Sequence, residues 1–157
     1  MIYIFITLIV ILMVIAISMP FIILIKKYKD FTKNSPTLTL DNIPAEGYSV
    51  PIIASYRGLS NAPLISLAHN NLSPKLIIYP DHIQFKVVFP FTKKYEEISQ
   101  ISIFRMIWTE NIIFSFKDNK QTFSASLANK KALKSLVVFL KNKGLKTDKK
   151  AEDFINA

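Results

Sequence analysis

The stretch from Pro74 to Phe89 reads PKLIIYPDHIQFKVVF, and its pattern decides how the rest of the chain is read. Lys75-Leu76-Ile77-Ile78-Tyr79 is a short apolar run. Pro80-Asp81 follows, a good pair for the centre of a type I turn, since proline presets the backbone there. Beyond the turn, Ile83, Phe85, Val87 and Phe89 alternate with His82, Gln84, Lys86 and Val88. A period of two puts successive side chains on opposite faces of a strand, so one face is expected to turn inward and the other mostly outward.

The pattern continues on both sides. Upstream, Leu64 to Ala68 is a plausible strand ended by the turn-forming His69-Asn70-Asn71. Earlier still, Val50 to Ala54 is an apolar patch whose Pro51 demotes it to an edge strand or a packed loop. Downstream, Lys94-Tyr95 leads through Glu96-Glu97 into Ile98, followed by Ile101 to Trp108. Ile112, Phe114 and Phe116 alternate with Ile113, Ser115 and Lys117. Asp118-Asn119 suits a type I′ hairpin turn, and the returning strand sets Phe123, Ala125 and Leu127 against Thr122, Ser124 and Ser126. The sum is a meander of antiparallel hairpins whose phenylalanines fill the core. Asn129 then caps a helix predicted over 129–143, in which Ala132, Leu133, Leu136, Val137 and Leu140 share one face. Gly144 sits where a terminating glycine belongs, with Leu145 placed to fold back on Leu140. Residues 147–157 read as a polar, frayed tail.

The Pro74 to Phe85 hairpin, the step from Tyr95 into Ile98, the pairing of Phe114 to Phe116 with Phe123 to Ala125, and the helix from Asn129 to Leu145 together resemble the bacterial pleckstrin-homology-like domains. The resemblance implies a mainly β fold with one C-terminal helix: two nearly orthogonal antiparallel sheets forming a partly open barrel capped by the helix, over residues 48–146. It also implies a membrane-associated domain that binds proteins, lipids or copies of itself and catalyses nothing.

Composition supports a membrane setting. The chain has 157 residues and a formal net charge of +9, yet no charged side chain occurs from Met1 to Ile25. A helix needs about 20 apolar residues to cross the hydrocarbon core of a bilayer, so 1–25 is predicted to be an uncleaved transmembrane anchor. A signal peptide would be shorter and would follow a basic region. Lys26, Lys27, Lys29 and Lys33 come next, inside a linker over 26–47. The positive-inside rule then puts the N-terminus outside and the domain on the cytoplasmic face of the inner membrane, with these lysines at the headgroup level.

Several chemistries are excluded. Without cysteine there is no disulfide, thiolate zinc site or cysteine nucleophile, and three scattered glycines make no phosphate-binding loop. His69 and His82 lack the spacing of metal ligands, and Asp81 and His82, adjacent on a strand, are expected to face apart. No cofactor and no catalytic residue is expected. Arg57 and Arg105 are the only arginines, which argues against bidentate reading of nucleic acid. The expected role is non-enzymatic binding or scaffolding for a protein partner or a second copy. Arg105 and Trp108 are the candidate contact, on a strand where Phe104, Met106 and Trp108 share a face with Ser102. The alternative is sensing of anionic lipid through the juxtamembrane lysines and the helix face at Lys130, Lys131, Lys134 and Lys141. A small membrane-tethered hydrolase comes third.

Overall fold

The computed structural model describes residues 7, 12–16, 18–19, 22, 25–26, 43–59, 62–105, 109–118, 120–127 and 129–157. The chain divides into two compact units, Met1–Asn34 and Ser35–Ala157. In the first, the described residues are helical, and Leu12, Met13, Val14, Ile15, Met19, Ile22 and Ile25 are exposed apolar side chains. Among the described residues no helix is long and apolar enough to cross a membrane. The span expected over 1–25 lies largely outside the described residues, as do Lys27, Lys29 and Lys33.

The second unit is mainly β, with nine strands among the described residues. These are β1 (Tyr48–Ser49), β2 (Ala54–Leu59), β3 (Ala62–Asn70), β4 (Lys75–Ile78), β5 (His82–Lys86), β6 (Pro90–Lys94), β7 (Ile98–Arg105), β8 (Glu110–Phe116) and β9 (Gln121–Leu127). They form two antiparallel sheets, ordered β1-β4-β5-β6 and β3-β2-β9-β8-β7, and no closed barrel. The chain passes between sheets at residues 50–53. There the Val50 amide donates to Leu76 in the first sheet and the Ile53 amide to Ser126 in the second, at 2.8 Å each. The patch around Pro51 is thus a packed loop, with Val50 and Ile52 buried.

Phe85 joins the two sheets. Its ring lies 4.7 Å from Phe123, 5.2 Å from Phe114 and 5.2 Å from Phe91, centroid to centroid. The Leu76↔Phe85 and Ile78↔Ile83 pairs of the first sheet meet Phe114↔Phe123 and Ile112↔Ala125 of the second, all fully buried. Burying one such side chain favours folding by roughly 1.5–3 kcal/mol.

Three expectations need correction. Phe89 is exposed, because β5 stops at Lys86 and the chain leaves the sheet after Val87. Thr122, Ser124 and Ser126, expected outward, are buried, and the Ser126 hydroxyl donates to the Asn111 carboxamide. Asp118 does not take the positive φ that a type I′ turn requires; Asn119 lies outside the described residues.

The C-terminal end holds two helices where one was expected, α1 (Lys130–Asn142) and α2 (Lys149–Asn156). Asn129 caps α1 by accepting from the amides of Lys131 and Ala132. It ends in a Schellman motif: Gly144, at φ 86°, donates to Lys141 and Leu145 donates to Leu140. The supposed frayed tail is ordered. Residues 146–148 lie along the edge of β7, the Ile101 amide donating to Lys146 and the Asp148 amide to Ile101. Asp148 then caps α2, which buries Ala151 and Phe154. This addition covers an otherwise open strand edge.

Candidate functional site

At one end of the second unit, β6, β8 and α1 all terminate, and each terminus carries a lysine. Lys94 closes β6, Lys117 follows β8, and Lys143 and Lys146 flank the Gly144 turn. They line a cleft of about 680 Å³ together with Tyr95, Ile98, Ser99 and Leu145, with Asp81 and Glu96 as its carboxylates. Four ammonium groups from three chain ends against two carboxylates make the cleft electropositive.

A structural network shapes the wall. Lys93, the neighbour of Lys94, points the other way: its ammonium donates to Glu97 at 3.1 Å and to Asp118. Glu97 also accepts from the Lys94 amide at 2.7 Å, and the Lys117 amide donates to the Glu97 carbonyl at 2.9 Å. The Lys94 amide, then the Lys93 ammonium, hold the Glu97 carboxyl below the usual range. The hydrogen bond from Lys93 lowers Asp118, and Asp118 in turn raises Lys93. Two adjacent lysines therefore divide their labour. Lys93 ties the turns together, and Lys94 faces the cleft.

The floor is aromatic. The Tyr95 hydroxyl donates to the Tyr79 carbonyl at 2.6 Å, and burial, then the nearby Asp81 charge, raise its phenol. The Lys143 ammonium lies 5.7 Å from the Tyr95 ring and donates to the Pro80 carbonyl at 3.2 Å. Asp81 and His82, expected to face apart, form a pair: the bend at residues 80–81 brings Asp81 Oδ1 within 2.7 Å of His82 Nδ1. That bond lowers the Asp81 carboxyl, and His82 stacks on Tyr79 at 4.3 Å. None of the described residues form a cluster of three or more metal-binding side chains.

The residues singled out in the sequence are more scattered. Lys26 is exposed in the first unit, and Lys27, Lys29, Lys33 and Trp108 lie outside the described residues. On α1, Lys130 and Lys131 are exposed and Lys134 is half-buried. Lys141 is ion-paired with Glu152 of α2 at 2.5 Å, and the Lys130 ammonium sits 5.5 Å from the Phe154 ring. The continuous basic face is therefore partly taken up by a helix the sequence reading did not contain. Arg105 is exposed and pairs with Glu110 at 3.1 Å. It shares a second concavity of about 450 Å³ with Lys130, Phe104 and Phe154.

Lys94, Lys117, Lys143 and Lys146 were missed because they sit at three separate chain ends, which only the folded topology brings together. No protein-family model matches the sequence, and no curated protein is similar enough to match it.

Proposed function

We propose that this chain is a non-enzymatic binding module of pleckstrin-homology-like type, anchored at the cytoplasmic face of a bacterial inner membrane, whose lysine-lined cleft takes an acidic segment of a partner protein. The apolar run from Met1 to Ile25 and the lysines after it support the anchor. Two antiparallel sheets with helices at the C-terminal end support the fold type.

The observation that carries the reading is the cleft itself. Its cations are lysines, compact point charges, with no arginine fork among the lining residues. Such a set suits a ligand whose negative charges are spread along a chain better than a single compact anion. Tyr95 and the stem of Lys143 offer apolar surface between the charges.

Crosslinking in cells, followed by detergent extraction of the full-length protein, tests this. The wild type is expected to retain one dominant partner through an acidic segment, and a Lys94→Glu, Lys117→Glu, Lys146→Glu variant to lose it. Recovery of the same partner by both proteins, or of the protein alone, would reject the cleft as the contact.

A further inference from the structure

The end of the β4–β5 hairpin opposite the cleft is built differently. Leu72, in the β3–β4 loop, is 95% exposed, and Phe89 and Val88, in the β5–β6 loop, are 79% and 57% exposed. They are among the most exposed large apolar side chains described in the second unit, and they sit on adjoining loops.

The two loops are held together. The Asn70 side chain accepts from the amides of Leu72 and Ser73 at 3.0 Å each and donates to the Val87 carbonyl at 2.6 Å. The Lys86 ammonium donates to the Ser73 hydroxyl at 3.0 Å, and the Ser55 hydroxyl donates to the Lys86 carbonyl at 2.7 Å. Val87, between them, is buried. The exposed side chains are thus presented by fixed backbone.

Charge around the tip has one sign. Between Glu46 and Glu96 the only acidic residue is Asp81, and it lies at the far end of the hairpin. Lys75, Lys86 and Arg57 surround the tip, Arg57 lying 5.2 Å above the Phe91 ring. Apolar side chains exposed on two adjoining loops, with cations beside them, match the layering of an anionic bilayer, where headgroup phosphates lie outside the acyl boundary. An apolar protein groove would not call for a one-signed collar.

We propose that Leu72, Val88 and Phe89 form an interfacial tip that inserts into an anionic lipid surface, with Lys75, Lys86 and Arg57 at the phosphates and Asn70 as the positioning residue. The inference rests on the membrane-anchored reading. Insertion through the tip would hold the domain against the bilayer and leave the cleft, at the opposite end of the hairpin, turned to solvent.

The chain contains no cysteine, so single cysteines at Leu72→Cys and Phe89→Cys carry one polarity-sensitive fluorophore each, with Lys150→Cys on α2 as the reference. The full-length protein is reconstituted into vesicles of phosphatidylglycerol and phosphatidylcholine. Both tip labels are expected to shift to the blue and to be quenched several-fold more by brominated lipid than the reference. Lys75→Glu is expected to diminish the shift. Co-flotation of the protein with vesicles reports the anchor independently. Protein that co-floats with both tip labels unshifted would overturn the proposal while leaving the anchor standing. A shift that follows protein concentration rather than lipid composition would assign the tip to a second copy and overturn it as well.

Discussion

The two ends of the β4–β5 hairpin share the same strands and the same core, yet they expose opposite chemistries. At the turn end, Lys94, Lys117, Lys143 and Lys146 surround a polar cleft with an aromatic floor. At the loop end, Leu72, Val88 and Phe89 are exposed beside Lys75, Lys86 and Arg57. A rigid core built on Phe85 lets both ends be positioned without either contributing to stability in proportion to its exposure. Both proposed contact surfaces of this unit therefore lie where elements stop.

The largest expected effect removes what the ends share. Phe85→Ala should destabilise the second unit by about 3–5 kcal/mol, measured as a lower urea midpoint with both ends lost together. Loss of one end alone would break the idea of a common core. Asn70→Ala should act on the loop end only. Forfeiting its hydrogen bonds, at roughly 0.5–1.5 kcal/mol each, should speed amide exchange at Leu72 and Ser73 about tenfold or more while leaving Lys117 and Gly144 unchanged. Lys117→Glu with Lys146→Glu should act on the turn end only. It should weaken binding of a glutamate-rich peptide by about tenfold, with no change in the tip labels.

The smallest effect is electrostatic. Lys93 lowers the Asp118 carboxyl, the Lys94 amide and then Lys93 lower Glu97, and Lys141 and then Thr147 do the same for Glu152. Each folded carboxyl lies below its unfolded value, so the unfolded chain binds more protons between the two. Their contribution is present above the ordinary carboxylate range and is lost as pH falls through the lowered values. Denaturation at pH about 7 and about 3 should show reduced stability in acid. Lys93→Met should flatten that dependence, and an unchanged slope would remove the network from the account.

The legible parts of the fold are those where one local signal suffices. The apolar run Lys75 to Tyr79, the Pro80-Asp81 turn and the period of two that starts at Ile83 read as strand, turn and strand, and Asn129 and Gly144 bracketed α1 within a residue or so. β2 was missed because Arg57 and Gly58 interrupt any alternation; it is held by pairing on both sides, with a bulge at Gly58. α2 was missed although Asp148, Ala151, Phe154 and Ile155 carry a cap and helical spacing, because the lysines around them mask the short stripe. Phe89 read as core because the alternation runs past the end of β5. The Asp81–His82 pair was missed because strand geometry was applied to a bend. Charge in the sequence announced a basic protein, but only the topology separates Lys93, tied to Glu97 and Asp118, from Lys94, facing the cleft.

The central claim is that the cleft binds a chain of negative charge. A fluorescent glutamate-rich peptide titrated against full-length protein in lipid nanodiscs, at low and at physiological ionic strength, tests it most directly. Saturable binding is expected, weakened as salt shortens the screening length to about 8 Å and weakened about tenfold in Lys117→Glu, Lys146→Glu. Binding that is absent at low salt, or equal in wild type and variant, would contradict it.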